Sequence, residues 1–255
     1  MVPEDSSGAV RIRRWGRVFL FPYPECVRVS PRVRDVAELI VGYGLILATI
    51  WTPNPEQRYL YWMAFAWIAV TAFLRRRETR PNGLGLKGLL PSLWIVAVAA
   101  ALFLAGIGVA LHLHTLHRLY GPLPVAAHLP GYALWALMQQ FILQVYVLLR
   151  FLRLGLRRGT AIAAATLLFA VAHLPNPVLV PAVLVWGAVS CALYLRYRNL
   201  YPLALAHGLL GMCLAVTVPN AINHHMRVGL GYLHYPSEHR HWHSGHALGL
   251  APRSR

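Results

Sequence analysis

Apolar residues in this chain run in long blocks, separated by short stretches rich in arginine, proline and glycine. A helix that crosses the hydrocarbon core of a bilayer needs roughly 20 predominantly apolar residues. Seven segments approach that length: residues 35–51, 59–74, 91–111, 131–149, 160–174, 178–194 and 201–222. There is no internal repeat. The pattern predicts an all-α fold, a polytopic transmembrane helix bundle of about seven or eight spans. Composition points the same way. Hydrophobic residues make up 57% of the 255, charged residues only 13%, and the mean hydropathy is +0.50. Soluble domains are about one quarter charged, so disorder, a coiled coil and a soluble enzyme are all disfavoured.

Charge then orients the bundle. Lys and Arg number 24 against 8 Asp and Glu. The basic residues gather at the ends of apolar blocks, which reads as a topological signal and not as a nucleic-acid footprint. Basic clusters precede the first segment and follow the second (Arg75, Arg76, Arg77, Arg80, Lys87), the fourth (Arg150, Arg153, Arg157, Arg158) and the sixth (Arg196, Arg198). They fall on alternate loops, so the N-terminus is expected in the cytoplasm of a plasma (inner) membrane protein. Three parts are expected: a basic cytoplasmic segment 1–34, a bundle 35–222, and a histidine-rich tail 223–255 on the opposite face. The first thirty residues hold only Val18 to Phe21 as an apolar run, too short for a signal peptide. The three cysteines have no CxxC spacing and indicate neither a disulfide framework nor a thiolate metal site.

Polar side chains inside apolar segments are costly and commonly mark function. The fourth segment carries Gln139, Gln140 and Gln144, the fifth ends at His173 before Pro175-Asn176-Pro177, and the seventh contains His207. Gln140 and Gln144, four apart, share a helical face. Interhelical hydrogen bonding alone could account for each residue singly, at about 0.6–2 kcal/mol. Two glutamines and two histidines on three segments favour a shared site. No acidic residue lies between 79 and 237. Water activation needs a carboxylate or an imidazole, so a base must come from His173, His207, or Glu38 reaching across from the first segment. Glutamine takes no proton but can orient water or an oxyanion.

In order and spacing, these residues resemble the CAAX protease and bacteriocin-processing (CPBP) family of intramembrane proteases, the type II CAAX prenyl endopeptidase group. That family carries E-E-x-x-x-R, then F-x-x-x-H, then H-x-x-x-N or H-x-x-x-D. The matching positions are Gln139-Gln140 with Gln144, Phe169 with His173, and His207 with Gly211. The stretch from Asn82 to Lys87 and the turn from Arg198 to Pro202 also look like family loops, and the resemblance covers about 82–215. It implies a CPBP-like helical bundle and an intramembrane endopeptidase or hydrolase acting on a membrane-embedded peptide or lipid. His173 and His207 would hold or activate water, and Gln139, Gln140 and Gln144 would orient it. The sequence departs from the pattern: both glutamates are glutamines, the arginine is Gln144 and the final Asn/Asp is Gly211. Two other functions stay open: a non-catalytic relative binding a lipid, prenyl chain or peptide in the same pocket, and a metal-dependent membrane oxidoreductase.

The oxidoreductase alternative rests on histidines. Of 13, seven lie in the last 32 residues, including His239, His241 and His243, whose spacing puts three imidazoles on one side of an extended strand. A divalent metal is the cofactor such a run would take. A soluble polar tail accounts for the same run. The segment from Pro219 to Tyr232, rich in glycine and polar residues, is expected to fold back over the bundle mouth.

Overall fold

The computed structural model describes residues 30–78, 82–117 and 125–235. Helices occupy all seven predicted segments. They are α1 (Pro31–Trp51), α2 (Glu56–Leu74), the one-turn α3 (Leu89–Ser92) running into α4 (Trp94–His112), α5 (Val125–Phe141), α6 (Leu149–Arg153), α7 (Arg158–Val171), α8 (Leu179–Tyr197) and α9 (Tyr201–Thr217). A π-helical stretch, Ile142–Leu148, joins α5 to α6. Three helices are long and apolar enough to span a bilayer by themselves: 89–112, 128–153 and 179–197. The described residues are thus those of a helical membrane protein.

Two predicted segments stop short, each for a reason in the chain. The seventh ends at Thr217 because Pro219 lacks an N–H and drives Val218 out of the helical region. Beyond it the chain bends by 115° into α10 (Asn220–Asn223) and a 3-10 turn, His224–Met226, followed by α11 (Gly229–Leu233). The fifth ends at Val171, since Pro175 and Pro177 cannot continue a helix.

The helix formed by α5, the π-stretch and α6 is the hub. It packs on α9 and α7 and, through the π-stretch and α6, on α1, α2 and α8; α9 packs on α4, and α7 on α8. Close approach needs small residues. A Cβ at Gly42 of α1 would collide with the ring of Tyr146, and one at Gly208 of α9 would come within 3.4 Å of the backbone of Ala133. The Tyr146 hydroxyl donates to the Glu38 carbonyl and accepts from Trp67 Nε1 at 3.1 Å, stitching α1, α2 and the hub together.

Below that stitch lies a buried ionic cluster. Arg150 Nη2 is 2.7 Å from Glu38 Oε2, Arg75 Nη2 is 2.9 Å from Glu38 Oε1, and Arg153 Nη2 is 2.9 Å from Asp35 Oδ1. Arg150 is only 1% exposed. Arginines that read from sequence as loop charges therefore hold α1 and α2 against the hub. Two acids inside an apolar helix demand such partners, since an unpaired charge there costs several kcal/mol.

The contacts also sort the two ends of the bundle. The loop from 82 to 88 and the turn before α9, both singled out from sequence, are bonded to each other: Asn199 Nδ2 donates to the carbonyls of Gly85 (2.8 Å) and Lys87 (3.1 Å), and Leu200 N to that of Gly83 (2.9 Å). Gly88, at φ +77°, sits where a Cβ would strike the Tyr197 carbonyl. This end also carries the ionic cluster. At the other end His117 N meets the Val216 carbonyl at 3.0 Å and Gly229 N meets that of Leu174 at 2.7 Å. The basic loops thus share one end, and the chain passes 235 near the other.

Candidate functional site

The hub brings Gln139, Gln140 and Gln144 to two different surroundings. Gln140 and Gln144 are fully buried. Gln144 Nε2 donates to Gln140 Oε1 at 3.0 Å and to Ser190 Oγ of α8 at 3.2 Å. Gln140 Nε2 lies 3.2 Å from His207 Nδ1 on α9. Gln139, a residue earlier and about 100° around the helix, turns away from this chain and lines a cavity.

Proton positions follow from the partners. A carbonyl only accepts, so the Ser190 hydroxyl donates to Gly187 O (3.2 Å) and its oxygen accepts from Gln144. Gln144 spends both amide hydrogens, on Ser190 and Gln140, and Gln140 presents its own amide hydrogen to His207. With the two amides oriented this way, His207 Nδ1 accepts and its proton sits on Nε2. His173 is the reverse: its Nδ1 lies 2.7 Å from the Phe169 carbonyl, so the proton sits on Nδ1 and Nε2 keeps its lone pair. One imidazole offers a donor and the other an acceptor.

Phe169 joins the two. Its ring meets His173 edge-on at 4.7 Å and His207 at 5.9 Å between centroids, and Trp186 of α8 tilts against His207 at 6.1 Å. By helix rise alone His173 and His207 start at different depths, about 20 Å and 10 Å from the basic end. The Phe169 ring spans between them.

His173, His207, Gln139 and Gly211 all line a cavity of about 800 Å³ between α4, α5, α8 and α9. Its walls are otherwise largely apolar, with Trp94, Trp135 and Trp186 among them. A smaller one of about 290 Å³, between α1, α2, α5 and α7, shares Gln139, His173 and Trp135 with it. Among the described residues no acidic residue lines either. Glu38, weighed as a base from sequence, is committed to Arg75 and Arg150 instead.

Beyond α9 the chain does fold back over this region. Asn176, fully buried, donates from Nδ2 to the carbonyls of Asn223 (2.9 Å) and Arg227 (3.0 Å), while its Oδ1 accepts from Val178 N and Leu179 N. His225, Met226 and Val228 thereby join the wall of the larger cavity. His224, His225 and Met226 are all left-handed, at φ 46°, 53° and 62°. Each such non-glycine residue costs roughly 1–2 kcal/mol. Sequence reasoning missed Ser190, Trp186 and the ion-paired Arg150 and placed His225 in the tail.

His239, His241 and His243 lie outside the described residues. Among the described residues no three His, Cys, Asp or Glu side chains cluster so as to hold a metal.

The arrangement defines a class: a helical membrane protein with two imidazoles at an apolar cavity inside the bundle, one of them backed by a buried neutral glutamine pair. Residues 122–213 match the family model described as Type II CAAX prenyl endopeptidase Rce1-like. That segment, from before α5 into α9, holds the three motif positions, and over it the chain is similar to that family. Neither the curated proteins nor the solved structures give a match.

Proposed function

We propose that the chain is a divergent intramembrane hydrolase of the Rce1-like type, acting on a membrane-embedded substrate through histidines instead of a glutamate. The observation that carries this reading is the complementary pair of imidazoles at one apolar cavity, His173 with a free Nε2 lone pair and His207 with an Nε2–H. His173 Nε2 takes a proton from water as the water oxygen attacks the scissile carbonyl carbon. His207 Nε2–H donates to the oxygen that becomes negative, and as the intermediate collapses the scissile bond breaks and the His173 imidazolium returns its proton to the leaving group. Gln140, Gln144 and Ser190 position His207, and Gln139, on the cavity wall, orients the water or the substrate carbonyl. General-base assistance contributes about 10²–10⁴-fold and one oxyanion donor about 10²–10³-fold. The missing carboxylate removes the partner that makes an imidazole more basic, so the reaction runs more slowly than with a glutamate in place.

A second reading is favoured by the glutamines. Gln140 and Gln144 are fully buried, neutral and bonded to each other, an arrangement that also suits a relative that binds a lipid, prenyl chain or peptide without cleaving it. The test is the purified protein in lipid nanodiscs with prenylated and acylated peptides and membrane lipid esters. The hydrolase reading expects turnover by the wild type that collapses in His173→Ala and in His207→Ala. The binding reading expects retained ligand and no product.

A further inference from the structure

We infer that His225 is a third imidazole of the site, delivered by the segment after α9 to touch the polar group of an amphiphile whose apolar chain fills the larger cavity. This rests on the assignment of that cavity as the substrate site.

Three observations converge. His225 lines the same cavity as His173 and His207, although it lies outside the 122–213 family match. It stands in a run of three consecutive left-handed residues, none of them glycine. Local strain of this kind persists only where the surroundings over-determine it, and such positions gather at functional sites.

The surroundings do over-determine it. Asn176, three residues after His173, is bonded to the carbonyls of Asn223 and Arg227 on either side of the turn. Gly229 N is bonded to the Leu174 carbonyl, one residue from His173. The turn that carries His225 is therefore bolted to the turn that carries His173. His224 is held separately, stacked on Tyr232 at 4.0 Å and on Tyr235 at 4.8 Å, with Nδ1 bonded to the Tyr232 carbonyl at 2.9 Å. One histidine of the pair anchors the turn while its neighbour joins the cavity wall.

The chemistry of the wall selects the occupant. Among the described residues its polar side chains include Gln139, His207 and His225, which can donate hydrogen bonds, and His173, whose Nε2 accepts one, but no acid. A cationic head finds no counter-charge there, whereas a head that accepts hydrogen bonds, such as an amide carbonyl or a carboxylate, finds donors. The rest of the wall is an apolar surface suited to one long chain.

The probe is N-dodecanoylglycine, which carries an apolar chain, an amide and a carboxylate. It is titrated into the full chain in nanodiscs. Trp94, Trp135 and Trp186 report occupancy by fluorescence, and ¹³C-labelled histidine rings report contact by NMR. The expected result is a shift of the His225 ring together with those of His173 and His207, while exposed His234 stays put. His225→Ala should weaken binding at least about 10-fold and His225→Gln, which keeps a donor, by less than about 3-fold. Shifts at His173 and His207 without His225, wild-type affinity in His225→Ala, or no shift at any of the three rings would each overturn the inference. Product formation does not enter the readout. A protein that binds the probe with these shifts but hydrolyses nothing leaves His225 in the site and removes only the hydrolase reading.

Discussion

The amide nitrogen of Gln140 lies 3.2 Å from Nδ1 of His207, and this contact decides which imidazole nitrogen carries the proton. A glutamate at 140 has no amide hydrogen to give and would have to accept instead. The exchange of one oxygen for an NH₂ group therefore reverses the polarity of the histidine as well as removing a charge.

The first prediction concerns that polarity. ¹⁵N NMR of histidine-labelled protein near neutral pH should show His207 as the Nε2–H tautomer and His173 as the Nδ1–H tautomer. Gln140→Glu should convert His207 to Nδ1–H. A wild-type His207 protonated at Nδ1 contradicts the donor chain that begins at Ser190.

Restoring the family motif piecemeal should fail. Gln140→Glu alone buries a carboxylate with no cation beside it, a loss of several kcal/mol. Adding Gln144→Arg should recover part of that loss, because the two positions already touch at 3.0 Å. Thermal unfolding in detergent should rank wild type above the double variant and the double variant above Gln140→Glu. Gln140→Glu should give no full family-type peptide cleavage, since neither Gln144 nor Gly211 supplies the family's missing groups. Full cleavage by the single variant would refute this.

The ionic cluster should behave as a clamp. Arg150→Ala leaves Glu38 buried with only Arg75, and about 3–5 kcal/mol should be lost. Replacing both partners, Glu38→Leu with Arg150→Met, should cost less than the single change. Equal losses in the single and double variants would show that the pair is not coupled.

Topology follows from the sorting of the ends. Reporter fusions after Arg77 and Arg158 should read cytoplasmic, and fusions after Arg118 and at residue 255 external. A cytoplasmic reading at 255 would mean that the chain recrosses, or that one segment between 160 and 194 is re-entrant.

How far the sequence carried these conclusions depends on what each residue signals. Apolar blocks reveal helices by themselves, so all seven segments appear as helices. The meeting of Gln140 with His207 was legible because polar residues in hydrocarbon seek one another. Arg150 was misread because an arginine at a block end carries the same signal in a loop or in a buried pair; Asp35 and Glu38, stranded in an apolar helix, were the available hint. The π-stretch Ile142–Leu148 left no trace, since its residues suit an α-helix equally well. Nor could spacing show that Phe169 bridges the two imidazoles or that Asn176 ties down the turn at His225, because both depend on contacts between distant segments.

Turnover in lipid nanodiscs, with His173→Ala beside the wild type on the same panel of acylated and prenylated substrates, decides whether the imidazole pair hydrolyses. Measurable hydrolysis by the wild type and a fall of at least about 100-fold in His173→Ala are expected, with both proteins equally folded. Absence of product from the wild type across the panel, or equal rates in the two proteins, would contradict the hydrolase reading.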